Sequence, residues 1–113
     1  MKKHIRLLAL AVFAVLLGVS YEAKADWGVF NPTTVGCFED GTCFIGVSPS
    51  VPNTLTSCTA RDQVRFPINT VGGEAMYKTA LAAYLAGRQL AINTNHLNYC
   101  LTGYARALYL HVQ

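Results

Sequence analysis

The sequence is poor in the patterns that announce chemistry. It holds no G-x-S-x-G turn, no P-loop and no H-E-x-x-H helix, so the usual serine-hydrolase, nucleotide-binding and metalloprotease constellations are excluded. No C-x-x-C pair occurs, and the three histidines are not spaced as metal ligands; neither a zinc site nor a dithiol redox centre is expected. Charged residues make up only 13% of the chain. Beyond residue 25, Arg61, Arg65, Lys78, Arg88 and Arg106 are balanced by Asp26, Glu39, Asp40, Asp62 and Glu74. Binding to a phosphate backbone needs a basic surface that displaces counterions, so nucleic acid is not an expected partner. No apolar run approaches the roughly 20 residues that cross a bilayer. There are no internal repeats or low-complexity stretches.

The longest apolar run, Leu7 to Leu17, follows Lys2, Lys3 and Arg6 and precedes the small residues of Ala23-Lys24-Ala25. That order is the signature of a secretory signal peptide over residues 1–25. Gly18, Ser20, Glu22 and Lys24 end the run too early for a membrane anchor, so no membrane span is expected in the mature chain. The mature chain then starts at Asp26 and forms one domain over residues 26–113, secreted or periplasmic. A domain of this size has a marginal core and needs a further constraint.

Cysteine supplies it. Cys37, Cys43, Cys58 and Cys100 all lie in the exported part, and an even number in an oxidising compartment reads as two disulfides. Phe38-Glu39-Asp40-Gly41-Thr42 has the form of a hairpin tip, with Gly41 supplying the left-handed residue of a three-residue loop. Phe38 then faces Thr42 and Cys37 faces Cys43, within disulfide reach, which leaves Cys58 for Cys100.

Strand patterns cover Trp27 to Phe38, Thr42 to Ser48 and Val64 to Ile68, the last with Val64, Phe66 and Ile68 on one face. Pro49, Pro52, Asn53 and several hydroxyl residues make Ser48 to Thr59 a loop. Glu74 to Ala86 is the one helix, capped by Gly87. It is apolar on two sides. Tyr77, Ala80, Leu81 and Tyr84 form one stripe, while Met76, Ala82, Ala83, Leu85 and Ala86 leave little polar surface opposite. One small sheet covers one side of a helix, so a second subunit is expected on the other, with Met76, Ala82 and Leu85 at a homo-oligomer interface. Leu90 to Ile92 is a short strand, a polar turn at Asn93 to Asn98 holds His96, and Gly103 to Val112 is a long final strand.

Three strands, one helix and two strands is the chain order of a mainly β, five-stranded OB-fold-like barrel, an architecture that binds oligosaccharides and oligonucleotides. The stretch from Met76 to Ile92, through Tyr77, Ala80, Leu81, Tyr84, Gly87 and Ile92, resembles the helix-to-strand segment of the B subunits of subtilase-cytotoxin and typhoid-toxin type AB5 toxins. The mature chains of that family also begin with an acidic residue followed by Trp, as Asp26-Trp27 does, and have a cysteine where Cys58 stands. The resemblance implies a secreted OB-fold in a ring of five, with helices lining the channel. It also implies an outer surface that binds sialylated host glycans, and a docked catalytic A subunit. The family pairs a second-strand cysteine with the one before its third strand, which would make Cys43/Cys58 the rival pairing here. This chain departs from the family in its shorter length, its tighter first hairpin and the Cys37/Cys43 staple, and it has no clear counterpart of the family's sugar-contacting serine.

Asn31-Pro32-Thr33-Thr34 occupies that serine's neighbourhood, so Thr33 and Thr34 are the hydroxyls to watch. Trp27, Tyr99, Tyr104 and Tyr109 are candidate rings for stacking on a sugar. His96, His111 and the Glu39/Asp40 pair form no convergent reactive set. The expectation is a non-catalytic, secreted glycan-binding B subunit without metal or cofactor. The alternative is a free-standing periplasmic or secreted OB-fold protein with a structural or protein-binding role.

Overall fold

A computed structural model of the chain describes residues 27–94 and 100–113. Residues 1–25, expected as a signal peptide, and Asp26, His96 and Tyr99 lie outside those residues. Seven strands and one helix follow one another: β1 (Trp27–Cys37), β2 (Thr42–Ser48), β3 (Ala60–Pro67), α1 (Val71–Ala86), β4 (Leu90–Asn93), β5 (Cys100–Leu101), β6 (Tyr104–Arg106) and β7 (Tyr109–Val112). No described helix is long and apolar enough to cross a membrane.

The first hairpin forms as its residues dictate. Gly41 has φ +89°, the Phe38 amide donates to the Thr42 carbonyl at 2.7 Å, and Cys37 faces Cys43 in register. Asp40 Oδ1 accepts from the Thr42 amide at 2.9 Å, so this carboxylate serves the turn. Cys37 is joined to Cys43 and Cys58 to Cys100. The Cys43/Cys58 pairing implied by the family resemblance is thereby replaced. Cys43 points into the core directly across from Cys37, and Cys58 lies beside β5.

The helix starts three residues earlier than its strong helix formers suggest, because Thr70 caps it: Thr70 Oγ1 accepts from the Gly73 amide at 2.8 Å. It ends at Gly87, which is left-handed at φ +65°, while the Arg88 amide donates to the Ala83 carbonyl at 2.9 Å. Gly73 is buried, and a Cβ there would overlap the Pro67 carbonyl, so the first turn packs backbone to backbone on the end of β3. Gly73, Ala80 and Ala83 face the sheet with half-buried Met76 and Tyr77 beside them. Ala83 therefore belongs to the inner stripe and Tyr84, 42% exposed, to the rim.

The inward faces supply the core: Phe30, Ile45, Val64, Phe66, Leu90, Ile92 and Leu110, closed by Ala80 and Ala83 of the helix. Phe66 is wholly buried, and a side chain of that kind contributes about 1.5–3 kcal/mol.

Over the described residues the chain is mainly β with one helix, as its patterns indicate, but the closed five-stranded barrel is corrected. The hydrogen-bonded order is an open seven-stranded sheet, β5-β6-β3-β2-β1-β4-β7, in which β3 and β6 are parallel and the other neighbours antiparallel. The cause lies in the final segment, expected as one strand. Its first part pairs with β3, and the Ala107 amide donates to the Arg65 carbonyl at 2.9 Å. Leu108 then donates to the carbonyl of Asn93, whose register partner is Tyr109, so two residues oppose one. This β-bulge reverses the in-and-out alternation: Ala105 and Ala107 are buried before it, Leu110 after it. Thr102 and Gly103, at φ 52° and 89°, turn β5 back onto β6 as a two-residue hairpin.

Candidate functional site

A second bulge shapes the outer surface. Along β1, Phe30 and Pro32 face the core side, and so do Val35 and Cys37, so the parity changes between Pro32 and Thr34 where the register shifts. The extra residue puts Thr33 and Thr34 side by side on the outward face. Both hydroxyls lie over Gly46 of β2, where a Cβ would strike Thr33 Oγ1 at 2.6 Å and would also meet Thr34 Oγ1. Both threonines are exposed, and neither hydroxyl donates to a described residue.

Gly46 is paired with Gln63 of β3, which continues the same row. Gln63 Oε1 accepts from Arg65 Nε at 3.3 Å and Nη2 at 3.2 Å, and Arg65 Nη1 donates to Thr102 Oγ1. The guanidinium carbon lies 3.9 Å from the centre of the Tyr104 ring and 5.0 Å from that of Phe38, and Phe38 in turn stacks on Phe44 at 5.3 Å. Two rings and two neutral acceptors thus hold one cation in place. Arg65 has no carboxylate partner among the described residues; Lys78 pairs with Glu74 on the helix. Of its five N–H donors three are engaged, leaving one on each terminal nitrogen. Phe38, Glu39, Asp40 and Arg65 line an open depression of about 620 Å³.

Such a fork is complementary to a two-oxygen anion. The neighbouring hydroxyls, amide and ring edges suit a polyhydroxylated molecule with an apolar face. Glu39 and the second oxygen of Asp40 add acceptors at the rim for hydroxyl or amide donors.

A different surface lies over β1, β4 and β7. Trp27, Asn93 and Tyr109 form one cross-strand row and Val29, Ala91 and His111 the next. Trp27 meets Tyr109 edge-on at 5.1 Å and His111 at 5.3 Å. Tyr109 is 56% exposed and Val29 45%. Asn93 Oδ1 is buried beneath them and accepts no hydrogen bond from a described residue.

The residues singled out from the sequence therefore separate. Thr33, Thr34 and Tyr104 share the Arg65 surface. Trp27 and Tyr109 meet on the other, with His111. Ala82 and Leu85 face outward on the helix, Leu85 at 75% exposure, but Met76 turns toward the core. Arg65, Gln63, Phe38 and Thr102 were missed. One signal for them existed: with Val64 and Phe66 inward, Arg61, Gln63 and Arg65 must face outward on the same strand. Thr102 had none, since only the β5–β6 turn brings it to Arg65. No family model matches this chain, and no curated protein or solved structure matches it either.

Proposed function

We propose that this protein is an exported, non-catalytic recognition subunit that binds an acidic glycan through the outward surface of β1, β2, β3 and β6 and assembles with copies of itself. The observation that carries the reading is Arg65, fixed by Gln63, Thr102, Phe38 and Tyr104 and without an acidic partner among the described residues. A carboxylate on the sugar takes the two remaining N–H groups, and Thr33 and Thr34 offer hydroxyls along the same row. Self-association is supported by the outward apolar residues Ala82 and Leu85. A five-membered ring and a separate catalytic subunit are further expectations from the toxin resemblance.

A glycan array with the disulfide-intact chain from Asp26 tests this. Carboxylated glycans should be retained over their neutral counterparts, and Arg65→Ala should lower their affinity at least about tenfold, roughly 1.4 kcal/mol. Absence of sugar binding, or binding indifferent to both changes, would sink the reading. The alternative of a protein-binding role is favoured by one observation, the exposed aromatic Trp27/Tyr109/His111 surface.

A further inference from the structure

The outward surface of β1, β2 and β3 extends well beyond the depression beside Arg65. Side chains alternate along a strand, so Arg61, Gln63 and Arg65 share one face of β3, and Phe44, Gly46 and Ser48 the same face of β2. Pairing orders them into cross-strand rows. Gly36, Phe44 and Arg65 form the first row, and Thr34, Gly46 and Gln63 the second. Asn31 and Ser48 form the next, toward the Arg61 end, and both are exposed. Glycine keeps this strip low. A Cβ at Gly36 would come within 2.8 Å of the Phe44 ring, so that ring lies across β1, and a Cβ at Gly46 would strike the hydroxyls of Thr33 and Thr34. The result is a shallow shelf with hydroxyls and amides along its length, a shape that takes a chain rather than one enclosed ring.

Both ends of the shelf carry the same charge. Arg61 is exposed; its carbonyl accepts from the Val51 amide at 2.8 Å, while its guanidinium makes no hydrogen bond or ion pair with a described residue. Arg61 and Arg65 stand four residues apart on β3, about 13 Å at the rise of a strand and roughly the length of three linked pyranoses. Arg106 of β6 is the register partner of Arg65 and adds a further cation at that end. The acids of this region lie off the row: Asp62 is exposed but alternates to the other face of β3, and Glu39 and Asp40 belong to the hairpin tip.

We infer that the ligand is a linear acidic oligosaccharide with carboxylates on more than one unit, lying along β3 from Arg65 to Arg61. This rests on the glycan reading and adds a second anion site to it. A single acidic sugar brings one carboxylate and satisfies one guanidinium. A chain that repeats the carboxylate satisfies both, and its second contact is intramolecular once the first has formed. Between the two cations Gln63, Thr34 and Ser48 offer an amide and hydroxyls to the sugar hydroxyls, and Phe44 offers an apolar floor beside Arg65.

Calorimetric titration of the disulfide-intact chain from Asp26 with galacturonate oligomers of increasing length tests this. Affinity should rise at least about tenfold from the monosaccharide to the tetrasaccharide. Arg61→Ala should abolish that gain, with an unchanged urea midpoint showing that the chain still folds. Arg65→Ala should weaken binding at every length. Lys78→Ala removes a positive charge on the helix, away from this face, and should keep the gain. A monosaccharide that binds through Arg65 with no gain from length overturns the extended site alone, and so does a gain that Arg61→Ala leaves intact. A neutral oligosaccharide with the same gain overturns the second anion site, and an oligothymidylate of equal charge that binds as tightly overturns the assignment to a sugar. No binding at any length overturns the glycan reading as well.

Discussion

The two outward surfaces of this sheet are built from the same kind of strand and, in β1, from the same strand, yet they present opposite chemistry. One gathers Thr33, Thr34, Gln63, Arg65 and Tyr104 around a fixed cation; the other gathers Trp27, Val29, Tyr109 and His111 around stacked rings. A single extra residue near Thr33 separates them. Before the bulge the odd positions of β1 face outward and present Trp27 and Val29. After it the even positions do, and present Thr34. A polar surface with unused donors suits a small hydroxylated ligand, whereas an aromatic surface suits an apolar partner.

The contrast can be broken most severely through the disulfides. Removing Cys58–Cys100 should cost about 4 kcal/mol by loop entropy, read as a lower urea midpoint, and should disturb both surfaces. Removing Cys37–Cys43 should cost about 2.4 kcal/mol and act on one, because the tip it closes carries Phe38 onto Arg65. Sugar binding should fall while β7 amide protection persists; equal loss on both surfaces would show that they are not separable. Trp27→Ala should cost about 2 kcal/mol in the same unfolding measurement through its ring contacts with Tyr109 and His111, with glycan affinity kept. Arg65→Lys keeps the charge but loses the planar fork. Calorimetric titration with a carboxylated sugar should show roughly a tenfold loss with little change in the midpoint. The smallest effect belongs to Lys78→Ala, whose exposed i,i+4 pair with Glu74 is worth about 0.3 kcal/mol and touches neither surface.

Much of the fold was legible in the residues because its signals are local. Gly41 and the acidic tip marked the first hairpin, and Gly87 marked the helix end. The alternation of Val64 and Phe66 marked β3. The bulges were not legible. Pro32-Thr33-Thr34 and Ala107-Leu108 read as continuous strand, since nothing in their composition says that two residues will oppose one. The reading of the last segment as a single strand, and of the sheet as a closed five-stranded barrel, failed for that reason. The helix was read as apolar on two sides, but its inner stripe is set by Gly73 and the alanines that let it approach β3 closely, and this places both Ala83 and Met76, assigned to the outer side, inward.

Chain-local chemistry by itself determined β1, β2, β4 and the part of β3 from Val64 on, the described helix and its C-terminal cap, and the pairing of Cys37 with Cys43, because each depends on residues within a few positions of one another; Ala60 to Gln63 joined β3 only through pairing with β2 and β6. Where the alternation reverses, which rings meet, and that Arg65 is braced by Thr102 from 37 residues away depend on registers between distant strands. A register is the joint minimum of every pair along a ladder, so the site it creates exists only once the sheet has assembled.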